Sequence, residues 1–120
     1  MEIAVERLGY QKLELHFGGR FALITVTAEE LCSVGASEGD TEGLNQITRQ
    51  IAGVQASAVI KPKGEVIKCS LRSSEDIDVA SLAQLWNGGG HYHAAGFSVA
   101  DSNVDAVKSM LLREAERVLL

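Results

Sequence analysis

The chain has 120 residues, a single proline, 12 glycines and a formal net charge of −5. This is one domain's worth of sequence, long enough to bury a core without disulfides or metal. Its 46% hydrophobic and 22% charged content excludes collagen-like, low-complexity and disordered classes. The acidic balance excludes a global pull toward nucleic acid or anionic membrane, so a polyanion site would have to be a local basic patch. No apolar run approaches the ~20 residues of a membrane span, and the first residues lack the apolar core of a secretory leader. Cys32 and Cys69 have no zinc-type spacing. The expectation is therefore a cytoplasmic protein, away from membranes, with two reduced and buried thiols.

Residues 1–12 give no clear pattern and fit the end of a helix or a linker. Leu13 to Phe17 alternates apolar and polar, Gly18-Gly19 turns the chain, and Arg20 to Thr27 returns as a second strand. Thr27 with Glu30 three residues later reads as a capping box opening a short helix. After the small-residue loop of Gly35 to Gly39, Asp40-Thr41-Glu42 opens a second helix, with Leu44, Ile47 and Ile51 at helical spacing and Gly53 as its stop. Val54 to Ile60 reads as a strand and Pro62-Lys63-Gly64 as a turn. In the returning strand, Glu65 to Ser73, period-2 alternation puts Ile67, Cys69 and Leu71 on a core face. The other face carries Val66, Lys68, Ser70 and Arg72, a row rich in hydrogen-bond donors. Asp78 caps a third helix with Val79, Leu82, Leu85 and Trp86 on one side. Phe97 to Val99 forms a short strand, and Asp101 or Ser102 caps a last helix with Val104, Val107, Leu111, Ala115 and Val118 on its buried face. This order predicts an α/β (α+β) single domain: a mixed sheet of about five strands with helices packed on it.

One segment stands apart, Asn87-Gly88-Gly89-Gly90-His91-Tyr92-His93-Ala94-Ala95-Gly96. Ordering three glycines is entropically costly, and is kept where backbone must come close to something or take a positive φ. Successive amides there can form a nest for a phosphate, with His91 adding a charge-assisted hydrogen bond. The run also reads as a plain helix stop and flexible loop. His91 and His93 can face the same way as metal ligands, but His16 is the only other histidine and a zinc set needs three or four donors. Tyr92 and Trp86 can stack on a base, although Trp86 sits on an apolar helix face. No nucleophile elbow, P-loop or metalloprotease motif is present. These residues bind something and carry no evident reaction of their own.

Ser70-Leu71-Arg72-Ser73, Asp78-Val79 and the string Gly88-Gly89-Gly90-His91-x-x-Ala94-Ala95-Gly96 closely resemble the DHH-associated C-terminal domain of DHH-family phosphoesterases, of the nanoRNase and pAp-phosphatase type. The resemblance implies that residues 1–120 are the substrate-binding, C-terminal part of a longer enzyme. The N-terminal DHH domain, acting in cis, would hold two manganese ions. No Asp-His-His string occurs in this chain, so the resemblance implies neither cofactor nor metal ligands here, and no hydrolysis by the chain alone. It implies that Gly88, Gly89 and Gly90 present amides to a substrate phosphate and that His91 assists at the scissile position. Arg72 would supply a donor fork, Ser70 or Ser73 a hydroxyl, and Lys68 an electrostatic contribution. The expected partner is a short single-stranded nucleic acid or a nucleotide. The competing reading is a stand-alone module that binds single strands or cyclic dinucleotides without catalysis.

Overall fold

A computed structural model describes residues 3–36, 38–100 and 103–120. Its elements are α1 (Ile3–Lys12), β1 (Leu13–His16), β2 (Phe21–Thr25), α2 (Ala28–Ser33), a 3-10 turn (Glu38–Asp40), α3 (Thr41–Arg49), β3 (Ala56–Lys63), β4 (Val66–Ser73), α4 (Val79–Gln84), β5 (Gly89–His91), β6 (Ala94–Ala100) and α5 (Val104–Leu119). One mixed six-stranded sheet runs β1-β2-β3-β4-β6-β5. Only β2 and β3 are parallel, and the chain between them crosses through α2 and α3. The remaining neighbours are antiparallel.

The two faces of this sheet are covered unequally. Residues in register on adjacent strands point to the same side. The row Phe21–Ala56, and the rows holding Leu23, Ala58, Leu71 and Ala95 and then Ile60, Cys69 and Phe97, form one face. Val79, Leu82 and Ala83 of α4 and Val107, Leu111 and Ala115 of α5 close over it as the larger core. On the opposite face, Ile24 and Val59 pack with Val5 and Leu8 of α1, Leu31 of α2, and Leu44 and Ile47 of α3. That second core stops at β3. Burying each large aliphatic side chain in either core is worth about 1.5–3 kcal/mol.

Local signals account for most element ends. Thr27 Oγ1 accepts from the Glu30 N–H at 3.0 Å while Glu30 Oε1 accepts from the Thr27 N–H at 3.0 Å, the reciprocal cap expected of that spacing. Asp78 caps α4, and hydrogen bonds from Ser81 hold its carboxyl below the ordinary carboxylate range. The strand alternation of β4 is as read: Ile67, Cys69 and Leu71 are buried and Val66 and Lys68 exposed.

Several expectations are corrected. The mixed sheet with helices packed on it is as expected, but the place of one strand is not: Gly89–His91 pairs with β6 as an edge strand. Pro62 lies within β3, beyond the last β2 partner, where its missing N–H breaks no bond to that neighbour. Helix α3 ends at Arg49, so Ile51 lies outside it. Helix α4 ends at Gln84, and Leu85 turns outward with 58% exposure. Asp101 and Ser102 lie outside the described residues; the α5 cap is Asn103, whose Oδ1 accepts from the Ala106 N–H at 3.0 Å.

The thiols also differ from each other. Cys69 is buried, and desolvation pushes its pKa up to about 12, whereas Cys32 is exposed at the end of α2. Burial disfavours the reactive thiolate. Alkylation of the native chain at neutral pH is therefore expected to modify Cys32 alone, and addition of denaturant to release the second thiol, both read by intact mass.

Candidate functional site

The uncovered half of the second face is formed by β4, β6 and β5. Its registers bring Arg72, Ala94 and His91 into one row and Ser70, Gly96 and Gly89 into the next. Lys68 and Ser98 form a third. Strands lie about 4.8 Å apart, so the Cα atoms of Arg72 and His91 are about 10 Å from each other. Ala94, Gly96 and Gly89 leave a flat floor between them. None of these eight residues is acidic, which makes a locally basic shelf on an acidic chain.

Arg72 stands at the border where α3 begins to cover the sheet. Its Nη2 donates to Glu42 Oε2 at 2.7 Å and its Nη1 to the Leu71 carbonyl at 2.9 Å. The guanidinium is thus held in place across the shelf edge, and an incoming anion would share it with Glu42. Ser70 is half-buried, and its hydroxyl makes no hydrogen bond among the described residues. His91 is exposed on the edge strand. Ser73 does not join the shelf: its hydroxyl donates to the Ile77 carbonyl at 2.6 Å and fastens the following loop. Tyr92 and His93 serve the same loop. The Tyr92 hydroxyl donates to the Asp76 carbonyl at 2.9 Å, and His93 Nε2 lies 2.8 Å from the Glu75 carbonyl. Trp86 packs on Phe97 with ring centroids 4.7 Å apart, so it belongs to the core side.

The three glycines have different reasons to be there. Asn87 takes a left-handed conformation, φ 62°, while the Gly88 N–H returns to the Ala83 carbonyl at 2.9 Å, closing α4. A Cβ on Gly88 would lie 2.2 Å from the Gly96 carbonyl oxygen and 2.5 Å from Phe97 Cβ, so packing alone demands glycine. Gly90 has φ 141° and would meet Ala95 at 2.6 Å. Gly89 has no such constraint: a Cβ there would meet nothing within 4 Å. The concave loop expected of this run is replaced by an extended edge strand, which keeps outward backbone groups unpaired by a neighbour.

Glu42 was visible in the sequence only as part of a helix start, and Arg49 not at all. Both lie on α3, with the buried Asn45 between them; Asn45 Nδ2 is 3.5 Å from Glu42 Oε2. A spacing of seven residues, two helical turns, was the one signal that could have paired them.

A sheet with a filled face on one side and a bare, basic half-face on the other defines a small α+β domain. The chain belongs to the DHHA1 domain family, whose model matches residues 18–117. It is 29% identical over 104 residues to the bifunctional oligoribonuclease and PAP phosphatase NrnA of Thermus thermophilus, covering 87% of this chain and 31% of that protein. Among solved structures, an exopolyphosphatase-related protein from Bacteroides fragilis superposes with TM-score 0.81 at 30% identity, covering 99% of this chain and 37% of that one. The pGpG-specific phosphodiesterase PggH from Vibrio cholerae shares the fold at TM-score 0.66 and 15% identity, over 94% of this chain and 38% of its own. The chain thus spans about a third of the length of these relatives.

The glycines separate fold from site. Gly88→Ala is expected to cost about 1–3 kcal/mol of stability through overpacking, and Gly89→Ala to leave stability within about 1 kcal/mol of wild type. Chemical denaturation measures both; equal losses would contradict the distinction.

Proposed function

We propose that the bare half-sheet binds the phosphate of a nucleotide or short oligonucleotide, and that the chain serves as the substrate-gripping, C-terminal domain of a DHH phosphoesterase acting on short oligonucleotides or pAp. The observation that carries this reading is the openness at Gly89. Nothing among the described residues requires glycine at that position, yet it lies on the shelf, on the edge strand with His91 and in the row of Ser70 and Gly96, where a side chain would stand in a ligand's path. Arg72 supplies a planar two-pronged donor, suited to phosphate. Gly89 and Gly90 offer backbone groups from the edge strand, Ser70 a hydroxyl, and His91 a donor at the outer end of the Arg72 row.

What this chain contributes is position. Arg72, already fixed by Glu42 and the Leu71 carbonyl, orients the phosphate with little further loss of side-chain freedom. His91 lies at the exposed edge, where it can meet a phosphate presented by a neighbouring domain. Hydrolysis in this reading belongs to the DHH domain in cis. Manganese belongs in this reading to that domain too; among the described residues no group of three His, Cys, Asp or Glu side chains could hold a metal ion. Among the described residues no helix is long and apolar enough to cross a membrane. The matched relatives, each about three times longer, support the two-domain reading, as does the NrnA activity toward oligoribonucleotides and PAP.

Calorimetric titration with triadenylate tests the assignment. Arg72→Gln and His91→Ala are each expected to weaken binding by roughly tenfold to a hundredfold, the worth of a hydrogen bond involving a charged group, about 1.5–3 kcal/mol. Both variants should keep the wild-type circular dichroism spectrum. Unchanged affinity in both folded variants would overturn the site.

A further inference from the structure

The shelf does not end at Arg72. On the α3 side of that residue a cleft of ≈ 140 Å³ opens, lined among others by Arg49, Gln55, Ser57, Arg72 and Ser74. We propose that this cleft is a second anion subsite, taking a phosphodiester further along a single strand whose first phosphate lies between Arg72 and His91. The inference rests on the function proposed above and extends it to a preference for substrate length.

Charge is the first argument. Arg49 is exposed in the last turn of α3 and makes no ion pair among the described residues. Arg72 lines the same cleft, while its carboxylate partner Glu42 does not. Two guanidinium groups therefore face the cleft and no acidic side chain lines it. The carboxyl end of α3 opposes an anion with about half an elementary charge and Glu42 offsets Arg72, so Arg49 is the group that turns the local balance positive.

Geometry is the second. Ser57, Arg72, Ala94 and His91 are in register across β3, β4, β6 and β5. Three strand spacings separate the Cα atoms of Ser57 and His91 by about 14 Å. A single phosphate cannot span that row, whereas successive phosphates of one strand can lie over its His91 end and over the cleft above its Ser57 end. Ser57 itself is 1% exposed, with its hydroxyl 2.9 Å from that of Thr48, so the cleft floor is fixed rather than adaptable. Arg72 belongs to both sites and joins them.

The track also has an end. Past Ser74 and Gln55 the surface hollow continues along Glu75, Asp76 and Ile77. Those two carboxylates repel a further phosphate, so the anion-accepting stretch closes just beyond the cleft. Such a bounded track suits a ligand of a few nucleotides and gives a long polymer no additional hold.

The test compares two nucleotide ligands by calorimetry on the 120-residue chain: a nucleoside 3′,5′-bisphosphate and tetraadenylate. Arg49→Ala is expected to weaken tetraadenylate binding by roughly tenfold and to leave the bisphosphate within about twofold. Arg117→Ala, which removes an equal charge on the exposed side of α5, should change neither. An unchanged tetraadenylate affinity in Arg49→Ala, with Arg72→Gln still weakening it, would overturn the cleft and leave the shelf standing. An equal loss on both ligands would overturn the length role. A third titration uses inorganic phosphate alone; Arg49-dependent binding of it as tight as that of tetraadenylate would make the cleft a free-phosphate site and overturn the proposal. Failure of the wild-type chain to bind either nucleotide would remove the underlying function as well.

Discussion

The site exists because the helices cannot cover both faces of the sheet. The crossover between the parallel strands β2 and β3 carries α2 and α3 to one side, where α1 joins them over β1 to β3. The later helices, α4 and α5, go to the other side and fill it from β2 to β6. Among the described residues no helix packs over β6 and β5 on the first side, and α3 reaches only the border of β4. A bare sheet surface of apolar residues would invite aggregation; here it is polar and small-residued, with its cation at the border tied to α3.

That border determines how the surface can work. Arg72 is the meeting point of helix wall, shelf and cleft, and Glu42 holds its guanidinium before any ligand arrives. The arrangement reconciles an acidic chain with the anionic ligand proposed for it. Net charge is a property of the whole molecule, whereas binding depends on the few groups within a Debye length of the ligand. Over the shelf and cleft those groups are two arginines, Lys68, His91 and backbone donors. Acidic side chains lie at the margins, on α3 and in the 75–76 turn.

Much of this was legible in the chain before its fold. The alternation of β4 assigned Ile67, Cys69 and Leu71 inward and Lys68, Ser70 and Arg72 outward, because a strand with one covered face has a strict period. Thr27 and Glu30 announced their cap, since it is a local interaction. Strand β5 was not legible: glycine carries no β signal, and its pairing with β6 is a tertiary fact. Ser73 looked like a ligand contact but is held by Ile77 four residues on. Cys32 looked buried because free cysteine usually is, yet α2 is too short to turn it inward along with Leu31. Arg49 and Glu42 gained meaning only once α3 was laid beside β4.

The central claim is that ligand docks on the bare face of β4, β6 and β5 and in the cleft that adjoins it at Arg72. Amide chemical-shift mapping by NMR during titration with triadenylate tests it most directly. The account predicts perturbations confined to residues 68–74 and 89–98, to the Glu42–Arg49 side of α3 and to residues 54–57 of the cleft. Perturbations concentrated on the α4 and α5 face, or along the β1 edge, would contradict it.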